Sequence, residues 1–331
     1  MDKENLIILN QMPGKFKLIT PVVLLAFNRP EKTQRVFNEI KKARPDKLFI
    51  VADGPRNGTD KSKCEAVRDI INRQIDWPCQ VFKNYAERNL GCKVRISSGI
   101  TWVFQNVEEA IFLEDDCVPD PSFFPFCQEL LEKYRNNSRV MSVSGYNMAV
   151  RDSRFKCLNS YYFSNIGLIL GWASWRRAWQ YYDVNISRWL DIKKSGLLHK
   201  VLNNPPVVNH YEHLFDQYYR RTVDSWDSQW FLTRWLKHGL SIVPKTNLVA
   251  NIGFDAEGTH TAIDPNDPRA HVPIISMNFP LTHPDNFIVD KAADDYTFKH
   301  YMGINLLWSQ HWRWWLKSCF PYLHSKLKKL K

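Results

Sequence analysis

Residues 21–27 read Pro-Val-Val-Leu-Leu-Ala-Phe, a run without a polar side chain. A strand with one wet face alternates apolar and polar residues. A short uninterrupted run instead suits a strand covered on both faces, as in parallel sheets packed between helices. Lys47–Ala52 (KLFIVA) and Ala110–Leu113 (AIFL) repeat the pattern. Between them the spacing turns helical. Thr33, Val36, Phe37 and Ile40 predict a helix over 31–43; Cys64, Val67 and Ile71 predict one over 61–75; Ile96, Ile100, Val103 and Val107 predict one over 92–107. Gln80–Lys83 and Val140–Ser144 read as further strands, and Phe123, Cys127, Leu130 and Tyr134 as the face of a helix starting at Pro121. This alternation predicts an α/β fold, a mostly parallel central sheet with helices on both faces.

The second half is less regular. Gly171–Trp175 leads into a short helix, Asp227–His238 reads as a helix, Leu240–Val243 as a strand and Ala250–Ala262 as a mobile loop. The Pro- and charge-rich stretch Asp264–Pro273 marks a boundary, dividing a domain over 18–262 from an extension over 263–331.

In parallel α/β sheets the ligand site lies beyond the carboxyl ends of the strands. Three polar clusters fall there: Asn28-Arg29, Asp53-Gly54 and Glu114-Asp115-Asp116. Three adjacent carboxylates repel unless a cation relieves them. Mg²⁺ or Mn²⁺ does so with one or two carboxylates plus phosphate oxygens of a substrate. The bland alternative is a solvated acidic turn.

Ile111-Phe112-Leu113-Glu114-Asp115-Asp116, followed by Pro119, Phe123-Phe124 and a helix, resembles the donor-site motif of N-acetylglucosaminyltransferase I and its bacterial relatives. The order of strand, Asn28-Arg29, Asp53-Gly54, carboxylate triplet, Gly-Trp, Trp-Asp and Gly-containing loop extends the resemblance over roughly residues 20 to 262. The resemblance implies the GT-A fold, a Rossmann-like nucleotide-sugar domain, and an inverting transfer from a UDP-sugar such as UDP-N-acetylglucosamine. It makes Asp116 the ligand of Mn²⁺ or Mg²⁺, Glu114 and Asp115 contacts to ribose and sugar, and Asp53 the uracil contact. Ala26 and Arg29 would line the base and phosphate pocket, Arg95 would meet the pyrophosphate, and Gly171-Trp172 would shape the sugar pocket. Asp227 would be the general base, with helix capping as its plain alternative and Asp224 as its rival. Ser228-Gln229 stand where the family has a second acid. Gly253-Phe254, Gly258 and Thr259-His260 match a loop that closes over the donor, with His260 near the phosphates or metal.

The net charge of +11 favours anionic partners, and the last residues hold many of the cations and no acid. Trp312, Trp314, Trp315 and Phe320 beside Lys326, Lys328, Lys329 and Lys331 describe either a helical aromatic, basic segment on an anionic membrane surface or a packed terminal helix. No nucleic-acid module is recognisable. Seven widely spaced cysteines without a CxxC argue against a zinc site or a disulfide framework. Residues 1–17 have no long apolar core, and no apolar run of 18 exists. These features predict a cytoplasmic protein, peripheral on the inner face of the cell membrane, acting on a glycan or glycolipid in envelope polysaccharide or lipopolysaccharide synthesis. The rivals are a non-catalytic carbohydrate- or membrane-binding protein and a sugar-1-phosphate nucleotidyltransferase. The latter needs a Gly-rich phosphate loop that Asn28-Arg29-Pro30-Glu31 lacks.

Overall fold

The computed structural model describes residues 16–254 and 267–306, so the expectations for Gly258, Thr259, His260 and the basic tail lie outside the described residues. The first half alternates as expected. β1 (Val22–Ala26), α1 (Pro30–Ala43), β2 (Lys47–Ala52), α2 (Gly58–Gln74), β3 (Gln80–Tyr85), α3 (Cys92–Asn106) and β4 (Glu109–Glu114) follow in turn. β1 pairs in parallel with β2 and β4, and β2 with β3. β5 (Cys117–Pro119), α4 (Phe123–Lys133) and β6 (Val140–Ser144) come next.

The polar-free run at 22–26 has a direct cause. Val22 and Leu24 share a core with Val36 and Phe37 of α1, Val67 of α2 and Leu130 of α4. Val23 and Leu25 face the other way, onto Ile100 and Val103 of α3. Both faces of β1 are therefore dry, and the fold is the expected α/β sandwich of helices about a central sheet.

Beyond β6 lie β7 (Tyr161–Ser164), β8 (Trp172–Trp175), α5 (Arg176–Trp179), α6 (Trp189–Lys194), α7 (Leu197–Leu202), α8 (Pro205–Tyr219), α9 (Asp227–Leu236), β9 (Leu240–Pro244), β10 (Val249–Asn251) and α10 (Lys291–His300). The full sheet runs β3-β2-β1-β4-β8-β6-β9-β7. β8 is antiparallel to β4 and β6, and β7 to β9, so the wholly parallel part is the β3-to-β4 half.

A second core of Trp189, Tyr211, Phe215, Phe231 and Trp235 holds α6 to α9 together. Its indoles keep their polar edges satisfied: Trp189 Nε1 donates to Asp216 Oδ1 at 2.8 Å and Trp235 Nε1 to the Asn165 carbonyl at 2.8 Å.

One expectation needs correction. The segment read as a loop from Ala250 begins as a strand, because β10 pairs antiparallel with β5. Residues 267–306, which follow the expected boundary, pack against the residues before it. Met277 donates its N–H to Ser122 Oγ at 2.8 Å, Ser164 Oγ donates to Asp294 Oδ1 at 2.5 Å, and Phe298 and Ile304 are buried in the second core. No described helix is long and apolar enough to cross a membrane.

Candidate active site

β1, β2 and β4 end level with one another, since Ala26 pairs with Ala52 and Leu25 with Glu114. Beyond these ends opens a crevice of about 560 Å³, whose lining includes Ala26, Arg29, Asp53, Arg95, Glu114 and Asp115. That volume suits a cofactor-sized ligand. Glu114 closes β4 as a paired strand residue, and Asp115 and Asp116 turn the chain into β5.

Arg29 ties the triplet together. Its Nη1 donates to Asp115 Oδ1 at 3.2 Å and to Asp116 Oδ2 at 3.0 Å. Pro30 opens α1 and keeps Arg29 outside the helix, at φ −120° and ψ 76°. Asp115 also accepts the Phe27 N–H on Oδ2 at 3.1 Å. Burial pushes Asp115 up to about 6, with Asp116 adding to the rise and Arg29 and the Phe27 N–H opposing it. Burial, then Asp116, Asp115 and Asp227, holds Glu114 well above the usual carboxylate range, against Arg29 alone among the leading influences.

These groups fit a hard divalent cation in one particular way. Four carboxylates act on one another, yet among the described residues no three His, Cys, Asp or Glu side chains converge as a ready-made metal cage. A cation held here takes few protein oxygens and needs further ones from a phosphate group, as Mg²⁺ and Mn²⁺ commonly do. Asp116, partly exposed, is the member of the triplet covered by Gly253. A Cβ at position 253 would stand 2.4 Å from Asp116 Oδ2, so a side chain there would push that carboxylate from its place.

Asp53, at the end of β2, is buried and spends its oxygens on the neighbouring loop. Oδ1 accepts from Gly54 N at 2.8 Å and Leu90 N at 3.0 Å, and Oδ2 from Asn89 Nδ2 at 3.0 Å. Burial nevertheless raises its pKa. Arg95 lies in α3 with Nη2 donating to Asn84 Oδ1 at 3.1 Å and also to the Asn84 carbonyl, and burial lowers its pKa. Both residues thus brace the wall they line.

A third group on that wall has no local sequence signal. Asp60, in the first turn of α2, accepts from Asn28 Nδ2 at 2.6 Å and Arg56 Nε at 2.5 Å, and Arg56 stacks over Phe27 at 5.1 Å. The Arg56 bond, then the Asn28 bond, holds Asp60 down at about 2, with burial opposing.

Asp227 begins α9. Its Oδ1 accepts from Tyr218 Oη at 3.0 Å, Ser225 Oγ at 2.7 Å and its neighbour's amide, Ser228 N, at 2.7 Å. Asp224 does something else: its Oδ1 accepts the Lys93 N–H at 3.1 Å, satisfying one of the orphan amides at the start of α3.

Gly171 adopts φ +60°, where a side chain is strained, and a Cβ would meet Val249 Cγ2 at 2.7 Å. Trp172, expected in the sugar pocket, is only 1% exposed. It stacks on Phe112 at 4.8 Å and packs beside Trp226 and Trp230, so it supports the crevice from beneath rather than facing it.

Fold and site together define an α/β protein with a carboxylate-floored ligand crevice at the carboxyl edge of a parallel half-sheet. No family model matches the chain, and no curated protein matches it. Among solved structures it is similar to the mannosyltransferase PcManGT from Pyrobaculum calidifontis in complex with GDP-Man and Mn²⁺, at 12% identity over 52% of this chain and 49% of that one, with a TM-score of 0.37. It is also similar to an active-site mutant of LgtC, at 10% identity over 89% and 99% of the two chains, TM-score 0.37. A third is 4-diphosphocytidyl-2C-methyl-D-erythritol synthase from Anaerococcus prevotii, at 7% identity over 68% and 88%, TM-score 0.36. The chain spans about half the length of the mannosyltransferase it matches.

Proposed function

We propose that the chain is a glycosyltransferase that binds a nucleoside-diphosphate sugar in this crevice and transfers the sugar to a hydroxyl of a glycan or glycolipid. The observation that carries this reading is the carboxylate triplet at the end of β4, within electrostatic reach of a fourth carboxylate, Asp227, whose hydrogen bonds among the described residues all fall on one oxygen.

In this reading Ala26, Phe27 and Asp53 form the nucleoside end of the crevice, and Arg56, Lys63 and Arg95 bring positive charge to its wall. Asp116 would hold Mn²⁺ or Mg²⁺, with a phosphate group supplying further oxygens. When bound, the cation neutralises charge on the leaving diphosphate. Glu114 and Asp115 take ribose and sugar hydroxyls. Tyr218, Ser225 and the Ser228 amide fix Asp227, leaving Oδ2 to accept the proton of the acceptor hydroxyl. The acceptor oxygen bonds to the anomeric carbon as the bond to the diphosphate breaks, and the electron pair leaves with the phosphate. A single displacement inverts the anomeric centre. A UDP-sugar such as UDP-N-acetylglucosamine and an envelope polysaccharide acceptor follow from the resemblance of residues 111–124.

Incubation with UDP-, GDP- and CDP-sugars and Mn²⁺, read by mass spectrometry, tests the reading. It expects a nucleoside diphosphate plus free or transferred sugar from at least one donor. Formation of a nucleoside triphosphate from sugar nucleotide and pyrophosphate would make it a nucleotidyltransferase instead, and no turnover in either direction would leave a binding protein.

A further inference from the structure

A second cavity, of about 380 Å³, lies outside the donor crevice and has no part in the reading above. Its floor is small and dry. Ala149, from the turn Met148–Arg151, and Ala293, from α10, share a buried cluster with Val243 of β9 and Tyr162 of β7. Methyl groups at these two positions, where longer side chains could stand, leave the space open.

The register of the sheet places this cavity on the same edge as the crevice. Phe112 of β4 and Ser144 of β6 both pair with Trp172, so the carboxyl ends of β4 and β6 coincide. β9 runs parallel to β6, and Val243 precedes its last residue, Pro244. β9 and β7 are three and four places from β4 in the sheet, roughly 14–19 Å at about 4.8 Å per strand. An extended chain of several sugars lying along that edge would touch both sites.

The lining combines aromatic faces with unspent donors. Tyr296 and His300, one turn apart on α10, hold their rings 4.2 Å apart at 30°. Phe155, also in the lining, packs edge-on against Tyr162 at 5.5 Å. Both acids of the lining are already occupied. Asp152 takes Arg154 Nε on Oδ1 at 3.0 Å and Arg154 Nη2 on Oδ2 at 2.9 Å. Asp295 takes Asn204 Nδ2 on Oδ1 at 3.2 Å and Lys291 Nζ on Oδ2 at 2.7 Å. Lys299 forms no hydrogen bond or ion pair among the described residues, and Arg154 Nη1 is likewise unbonded there. What remains to meet a ligand is positive charge and N–H donors, beside ring faces on which the apolar side of a sugar can lie.

We infer that this cavity binds an acidic sugar unit, a uronate or a phosphorylated sugar, of the same glycan whose hydroxyl receives the transferred sugar. The inference deepens the glycosyltransferase reading and rests on it for the chain that carries the unit. The carboxylate or phosphate pairs with Lys299 and with the free edge of Arg154, and the sugar ring lies against Tyr296. A neutral sugar forgoes these charge-assisted bonds.

Tetragalacturonate, glucose 6-phosphate and neutral maltotetraose are titrated by calorimetry into the full chain, Lys299→Glu and Tyr296→Leu. Melting temperatures and Mn²⁺-dependent nucleotide affinity are measured alongside. Lys299 is exposed, so its reversal leaves the fold intact. The inference expects one acidic probe to bind at least tenfold more tightly than maltotetraose, and that probe identifies the group as carboxylate or phosphate. Lys299→Glu should weaken it about tenfold or more, Tyr296→Leu by a smaller factor, and neither should change nucleotide affinity. Equal affinity for acidic and neutral probes, no binding of any probe by the unaltered protein, or an unchanged affinity in Lys299→Glu would overturn it. Because the readout is binding and not turnover, failure of the donor reading is seen separately, as absent nucleotide binding while the acidic probe still binds.

Discussion

Lys93 donates its backbone N–H to the side chain of Asp224 at 3.1 Å, joining the start of α3 to the segment that leads into α9. Three residues further along, Asp227 accepts, among the described residues, from Tyr218, Ser225 and Ser228, on one oxygen. The two acids therefore have separable tasks. Asp227→Asn is expected to lower transfer by about 10²- to 10⁴-fold while nucleotide binding persists, because a general base is lost. Asp224→Asn keeps an oxygen for the Lys93 amide and should lower transfer by less than about tenfold. Steady-state rates with calorimetric nucleotide affinities distinguish them; a large loss in Asp224→Asn with activity retained in Asp227→Asn would exchange the roles.

Arg29 is the cation shared by Asp115 and Asp116, with only 13% of its side chain exposed. Arg29→Met removes the cation that bonds both Asp115 and Asp116. The variant should lose about 1–3 kcal/mol or more of stability in chelator, the lower figures being those for a buried polar group left without its partner. Mn²⁺ should then raise its melting temperature by more than it raises that of the unaltered protein. Equal metal-induced shifts would show that Asp115 and Asp116 do not need a cation between them.

Gly253→Ala sets a methyl group 2.4 Å from Asp116 Oδ2 and 2.9 Å from Asn251 Oδ1. The Asp116 carboxylate can turn away, so the fold should survive with a small change in melting temperature. Its position is lost, and Mn²⁺-dependent nucleotide affinity should fall about tenfold, or roughly 1.4 kcal/mol. An unchanged affinity would separate Asp116 from ligand binding.

Asp60 makes stability depend on pH. Its folded pKa of about 2 lies below the ordinary value of 3.8, so its stabilisation is fully present above about pH 4 and is lost as pH falls from there through 2. Asp60→Ala should cost about 1–3 kcal/mol near neutrality, since Arg56 and Asn28 lose their acceptor. The gap in melting temperature between this variant and the unaltered protein should narrow as pH is lowered from 4 to 2. A constant gap would mean that packing, not charge, makes the difference.

How much of this was readable beforehand depends on how local each cause is. β1 and β4 were legible because Val22 to Ala26 and Ala110 to Leu113 are dry on both faces, a condition written into consecutive residues. The crevice followed from them, since a parallel half-sheet fixes which strand ends meet. β7 and β8 were missed because four residues such as Trp172–Trp175 carry too short a period to distinguish strand from turn. The helices α6 to α8 were missed because their core is aromatic and shared among several short segments, as with Trp189 and Phe215. The Asn28–Asp60 and Lys93–Asp224 bonds span 32 and 131 positions, and no local pattern announces them. Trp172 was misplaced for a related reason: an indole beside a site has the same letter whether it faces ligand or core, and Phe112 decides the matter.

Calorimetric titration of the nucleoside-diphosphate sugar that the donor panel selects, with Mn²⁺ and with chelator, against the unaltered protein and Asp116→Ala, bears most directly on the whole account. The account predicts binding in the micromolar range that requires both the cation and Asp116, with at least a tenfold weakening when either is removed. Equal affinity in all four combinations would contradict it, for the carboxylate triplet at the end of β4 would then hold neither metal nor diphosphate.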